Sequence, residues 1–214
     1  MSGPLAARAA GAALTLLLPS LLAAQQALPR PRTDTGKPLL QALSERATSR
    51  EFSAAPLPAQ TLGELLWAAA GINRPESGKR TTPSARNFQE VDVYVATADG
   101  LFLYEPGAHA LRLVVKADLR RLTGSQDFVT TAPVNLIYVA DGARMQNANE
   151  QDQVLYPAIA AGAMVQSVYL YAASAGLATV VRAMVDREAL GRAMQLRPQQ
   201  RIIICQTVGL PARS

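Results

Sequence analysis

PAIAAGAMVQSVYLYAASAGLATVVRAMVD, Pro157 to Asp186, is the stretch from which the rest of the chain is read. It holds most of the longest charge-free run, bounded by Asp152 and Arg182. Pro157 suits the first helical position, where its missing N–H has no partner to lose. Gly176 suits the residue past the helix end, where a positive φ is cheap only for glycine. Between them almost every side is apolar or small, which predicts a helix buried on several faces. Leu177 to Val181 is short and β-branched and reads as a returning strand that delivers backbone at Arg182 to Met184. Asp186 then caps a second helix.

An uncharged run of this length also meets the requirement for a membrane span. The arginines from Arg182 to Arg213 would supply a basic flank. Burial in protein is the better reading. The run is Ala-rich rather than Leu-rich, Gln166, Ser167 and Ser174 dilute it, and the strand-like Ile202 to Val208 needs a sheet to pair with.

Upstream, Met1 to about Ala24 reads as a secretory leader. Arg8 is its positive charge, Ala9 to Leu22 its apolar core and Ala23–Ala24 its cleavage site, which implies a periplasmic or secreted protein. Gln25 to Lys37 is rich in proline and polar residues and reads as a linker. Residues 38 to 214 then form one domain. Pro38 to Thr48 reads as a helix running into RATSREF, Arg46 to Phe52. Arg46, Thr48 and Arg50 within it make either a phosphate clamp, through forked guanidinium donors, or a charged helix end on the surface. The residues alone favour the surface.

Thr61 and Glu64 have capping-box spacing at the head of a helix that ends at Gly71, with Trp67 in the core. Asn73 to Thr82 reads as a loop. It leads through TTPSARNFQE, dense in hydrogen-bonding groups, into the alternating strand VDVYVAT. Leu101 to Tyr104 and Leu111 to Val115 form a hairpin around Pro106–Gly107. A short helix, Ala117 to Leu122, follows. VNLIYV, Val134 to Val139, is apolar enough to be central in a sheet. Asp141 to Gln153 reads as partly irregular. Strands and helices without strict alternation predict an α+β sandwich, a mainly antiparallel or mixed sheet flanked by helices.

Composition narrows the function. Hydrophobic residues make up 49%, which excludes wholesale disorder. The formal net charge is +5, and without Arg8 about +4, from scattered arginines with no aromatic interleaving, so nucleic acid is not an expected partner. One cysteine, Cys205, and one histidine, His109, exclude an intrachain disulfide, and neither a zinc site nor a catalytic triad is indicated.

Four pieces of sequence resemble the nitroreductase family of flavin enzymes, and most of all its exported, short SagB/ThcOx-type branch. They are RATSREF; LLWAAAGINRP with GKRTTPSARNFQEVDVYVA; LTGSQDFVTTAPVNLIYVAD; and QSVYLYAASAGLATVVRAMVDREAL with IIICQTVGLP. The likeness spans roughly Leu39 to Pro211. It implies a central antiparallel-rich sheet, an intertwined homodimer and FMN at the dimer interface, with the long helix at the dimer centre. Carried over by position, Arg46, Thr48 and Arg50 would hold the FMN phosphate and ribityl side. Pro83, Ser84, Asn87 and Gln89 would line the flavin pocket, with Pro83 and Ser84 serving the partner subunit. The Arg182, Ala183, Met184 loop would bring a backbone N–H to flavin N5. Ala183 stands where the family has glycine, and Ser167 where it has asparagine.

The resemblance implies an FMN-dependent oxidoreductase that passes electrons between a small donor and a flat organic acceptor. It gives no catalytic side chain, because the flavin carries the chemistry. The alternative is a flavin-binding or dimeric interaction module of the cell envelope without turnover.

Overall fold

The computed structural model describes residues 25–212. The leader Met1 to Ala24 and Arg213 lie outside the described residues. Seven strands form one sheet in the order β1-β6-β5-β4-β7-β9-β8. They are β1 Gln25–Ala27, β4 Val91–Thr97, β5 Gly100–Glu105, β6 Ala110–Val115, β7 Val134–Asp141, β8 Ala178–Arg182 and β9 Gln200–Gly209. Every neighbouring pair is antiparallel. A second, two-stranded ladder joins β2 Ile72–Arg74 to β3 Lys79–Arg80. The helices are α1 Leu39–Glu45, α2 Ala59–Ala70, α3 Phe128–Thr131, α4 Glu150–Ala175 and α5 Arg187–Ala193.

The unbroken apolar run of β7 has a simple cause. It lies between β4 and β9 and is buried along its whole length. Leu136 and Tyr138 join the core formed with Met164 and Val168 of α4, while Ile137 and Val139 join a second core with Leu190 of α5 and Met194. A strand covered on both faces needs no polar alternation.

α4 corrects the expected start at Pro157. It begins at Glu150, with the Asn149 side chain accepting from the Asp152 backbone N–H at 2.8 Å. Pro157 is about two turns inside. Its ring nitrogen cannot donate to the Gln153 carbonyl, and the Arg201 guanidinium donates to that carbonyl instead. The predicted end holds: Gly176 has φ 69°, in the left-handed region. The Asp186 cap also holds, its carboxylate accepting from Glu188 and Ala189 N–H.

The expectation that this helix is buried on several faces does not hold for the single chain. Ala160, Ala161, Met164, Val165, Val168 and Ala172 face the sheet, whereas Val154, Leu155 and Ile159 are exposed. Leu39, Leu40 and Leu43 of the neighbouring α1 are exposed too. By length and composition α4 could cross a membrane, but its inward stripe is part of the sheet's core.

Smaller expectations also shift. The Thr61–Glu64 capping box is absent: α2 starts at Ala59 behind Pro58, and Glu64 turns sideways to Arg32 and Tyr171. Trp67 is half-buried, its indole N–H donating to the Ile72 carbonyl at 3.2 Å. The polar stretch Asn73–Thr82 holds most of the β2–β3 hairpin, and the expected helix at Ala117–Leu122 is a 3-10 turn at Arg120–Thr123.

The stretch read as a linker is docked. Gln25–Ala27 pair with β6, the His109 imidazole bridges Tyr104 and the Pro29 carbonyl at 2.9 Å each, and Lys37 N–H donates to Ser174 Oγ. His109 is thus a structural loop residue, and Cys205 a fully buried core thiol.

Candidate functional site

α1 ends at Glu45, and the chain from Arg46 to Arg50 runs without helix along the outer edge of β8. Ser49 N–H donates to the Thr179 carbonyl at 3.0 Å, which satisfies part of an otherwise open strand edge. Residues 46, 48 and 50 alternate along this stretch, so they fall on one side of it. Arg46 is half-buried with its guanidinium 5.4 Å from the centre of the Tyr169 ring. Thr48 and Arg50 are exposed. Neither arginine has a carboxylate partner among the described residues.

Tyr169 is the hub that sequence reasoning missed. Its hydroxyl meets Thr48 Oγ1 at 3.1 Å and accepts from the Val181 backbone N–H at 3.0 Å. One phenol therefore ties the arginine segment, the long helix and the strand leading to Arg182. Only its place one helical turn after Val165 marked it, and that reads as an ordinary core position.

Arg182 is placed differently from its neighbours. Its guanidinium is buried, donating from Nε to Thr207 Oγ1, from Nη1 to the Thr123 carbonyl and from Nη2 to Asn135 Oδ1 and Thr123 Oγ1. No carboxylate joins this cage among the described residues, and burial lowers the guanidinium pKa. The side chain clamps the Thr123–Gly124 turn to the sheet. A methyl on Gly124 would sit 2.0 Å from Arg182 Nη1, so glycine is required there for space. Ala183 and Met184 emerge beyond the clamp and are exposed. Ala183 is not among the residues with positive φ, so the strain that alanine would suffer in place of glycine is absent.

Pro83, Ser84, Asn87 and Gln89 lie in a loop held out of ordinary backbone space. Arg86, Asn87 and Gln89 have φ of 51°, 57° and 50°. Such strain persists only where neighbours impose it, and it gathers at functional sites. The imposing group is Ser84. Its Oγ donates to the buried carboxylate of Glu90 at 2.6 Å and accepts from Gln89 N–H at 2.7 Å. Gln89 Nε2 donates to the Gly78 carbonyl. Asn87 and Pro83 are exposed at the rim.

The single chain brings the Arg46–Arg50 and Arg182–Met184 groups together and keeps Pro83–Gln89 apart. Thr179 is opposite Val208, and Val208 opposite Val134, which is level with Thr97. Val91, where the Pro83–Gln89 loop enters the sheet, is at the other end of β4, ~20 Å along the strand. β4 and β8 are also three strand steps apart, ~14 Å, so the two groups stand ~25 Å from each other.

The sequence profile of the nitroreductase family matches residues 43–210. The chain belongs to the nitroreductase family. A protein of Methanocaldococcus jannaschii, provisionally named a nitroreductase, is 32% identical over 157 residues, covering 68% of this chain and 79% of that one. A crystal structure of a protein of Ralstonia eutropha JMP134, also provisionally named a nitroreductase, superposes with a TM-score of 0.84 at 45% identity, covering 89% and 90% of the two chains. The Escherichia coli microcin synthetase complex contains a chain of the same fold, TM-score 0.68 at 19% identity, covering 96% of this chain and 85% of that one. As a family member, this nitroreductase-like chain is an oxidoreductase of the flavin type in general outline.

Proposed function

We propose that the protein is an FMN-dependent oxidoreductase whose active sites are each shared between two copies of the chain. The observation that carries this reading is the split between the Arg46–Arg50 and Pro83–Gln89 groups, with an uncovered apolar face between them. That face is Leu39, Leu40 and Leu43 on α1 and Val154, Leu155 and Ile159 on α4. The Pro83–Gln89 loop neighbours the N-terminal end of α4, where Arg86 reaches the Asn147 carbonyl, and Tyr169 near the other end anchors Thr48. α4 has 26 residues, ~39 Å of helix. A two-fold pairing across α4 places one copy's loop beside the other copy's arginines and buries both apolar faces.

The residues fit the group. Arg46 and Arg50 would bind the phosphate as forked, unpaired donors. The exposed backbone at Ala183 and Met184 would meet the ring system, held in place by the Arg182 clamp. Pro83, Asn87 and Gln89 would close it from the partner, with Ser84 spent on shaping their loop. When bound, FMN supplies a carrier that takes hydride from a small donor and passes it to a flat electrophile such as a nitroaromatic or quinone. No side chain here is an evident acid or base, and the protein's part is to bind, orient and exclude water. The reading extends to the exported SagB/ThcOx-type branch and to delivery outside the cytoplasm, supported by Arg8 and the apolar leader. NAD(P)H is not expected there, so the donor would be a different small reductant.

The test is the visible spectrum of the purified protein, with released flavin identified by chromatography and mass in solution by light scattering. About one FMN per chain in a dimer is the expected result. A colourless monomer that takes up no added FMN would overturn the reading.

A further inference from the structure

The β2–β3 hairpin adds a cationic wall to the loop assigned to the flavin, and together they enclose a pocket. It measures about 410 Å³ and is walled by Arg74, Lys79 and Arg80 on the hairpin side and by Pro83, Ser84, Asn87 and Gln89 on the loop side. Its frame is fixed. Thr81 and Thr82 hydroxyls donate to the Trp67 and Ala69 carbonyls at the end of α2, and Gln89 Nε2 donates to Gly78 at the hairpin turn. The Arg74 fork is braced by Asn73 Oδ1 and the Arg80 carbonyl.

The charge in this pocket is unbalanced. Arg74, Lys79, Arg80 and the nearby Arg86 make no ion pair among the described residues. Arg80 is half-buried, donates from Nη1 to the Val91 carbonyl and keeps a buried Nε with no partner. The two carboxylates behind it are already engaged. Asp92 is held by Arg144 Nη2 at 2.7 and 2.6 Å, and Glu90 takes the Ser84 hydroxyl on one oxygen. The other Glu90 oxygen is buried beneath the floor, away from the mouth, and has no hydrogen-bond partner. The mouth, formed by exposed Arg74 and Lys79, stays positive.

We propose that this pocket seats an oxyanion, a carboxylate or phosphate, carried by one of the reactants of the flavin. This deepens the flavin reading and rests on it, because the pocket shares the loop of Ser84 and Asn87 with the partner-facing half of the site. Guanidinium forks match such anions in geometry, and a braced fork loses little freedom on binding. The enzyme would then discriminate by charge as well as by shape.

The experiment uses the purified protein loaded with FMN. Benzoate and benzamide are titrated by calorimetry at about 20 and about 200 mM NaCl. The kcat/KM values for 4-nitrobenzoate and 4-nitrobenzamide, and the KM for NADPH as a laboratory donor, are measured in parallel. All are repeated in an Arg74→Gln, Lys79→Gln double variant. Benzoate is expected to bind about tenfold or more tightly than benzamide, to weaken with salt, and to lose that advantage in the variant. A fall in the benzoate-to-benzamide ratio of kcat/KM assigns the anion to the acceptor, and a rise in KM for NADPH alone assigns it to the donor. Equal binding of benzoate and benzamide, or a variant that keeps the preference, overturns the proposal while leaving the flavin reading intact. A protein that holds no FMN overturns the flavin reading, and the calorimetric preference still decides whether the anion pocket exists.

Discussion

Replacing Glu64 by Gln strikes the joint between the docked N-terminal segment and the helical layer. Glu64 is almost wholly buried. Its Oε1 accepts from the Arg32 backbone N–H at 3.3 Å, from Arg32 Nε at 2.8 Å and from Gln60 Nε2 at 2.8 Å. Its Oε2 accepts from the Tyr171 hydroxyl at 2.8 Å. Burial alone raises this carboxyl, but the donors from Arg32, Tyr171 and Gln60 outweigh it and hold the pKa at about 2, against an ordinary 4.5. By linkage that drop corresponds to ~3.4 kcal/mol. The Arg32 side chain is 59% exposed, so solvent screening reduces the usable part to about 1–2 kcal/mol. The folded pKa is below the unfolded one. The contribution is therefore fully present above about pH 4.5 and is lost as pH falls toward about 2. Urea unfolding followed by circular dichroism, at neutral pH and in steps down to about pH 3, measures it. Glu64→Gln is expected to be less stable by about 1–2 kcal/mol at neutral pH, with the deficit narrowing below about pH 4.5. A deficit that is the same at both ends of the range, or absent at neutral pH, would refute the reasoning.

Four further outcomes are expected. Ile159→Arg puts a charge in the apolar face of α4 and should convert the proposed dimer to monomer in sedimentation, with loss of FMN if each site needs both copies; a flavin-bearing monomer would contradict the proposed shared site. Arg46→Ala removes a proposed phosphate donor and should weaken FMN binding about tenfold in fluorescence titration, since a charge-assisted hydrogen bond contributes about 1.5 kcal/mol or more. Arg182→Lys keeps a buried charge but cannot reach Thr123, Asn135 and Thr207 together, so thermal unfolding should show a loss of about 2 kcal/mol or more. Burial pushes the Cys205 thiol up to about 11, so the native protein at pH 8 should resist thiol reagents that label it promptly in urea.

Much of the fold is legible where local pattern and tertiary environment agree. VDVYVAT reads as a strand from its alternation and VNLIYV from its unbroken apolar run; in the fold β4 puts Val91, Val93 and Val95 in one core and Tyr94 and Ala96 in the other, and β7 is buried along its whole length. The patterns fail where a distant group changes the local rule. Pro157 looks like a helix start, but Arg201, more than forty positions away, occupies the carbonyl that the proline leaves free. The polar Asn73–Thr82 stretch hides a hairpin, because its two strands are too short for alternation to show. Of the candidate site, the loop of Ser84 to Gln89 could be picked out by its density of hydrogen-bonding groups. Its three positive φ values could not, since none falls on glycine.

The sequence by itself determined the family, the six longer strands from β4 to β9 and the residue types that a flavin phosphate needs, because these rest on local pattern and on side-chain chemistry. It did not determine which of those residues meet. Tyr169 joining Thr48 to Val181 and Arg182 caged by neutral oxygens depend on how segments far apart in the chain pack and pair. Strand register also separates the Arg46–Arg50 and Pro83–Gln89 groups by ~25 Å. Only the tertiary structure could decide this, because pairing distant segments is settled by what the folded chain buries, and no window of sequence holds that information.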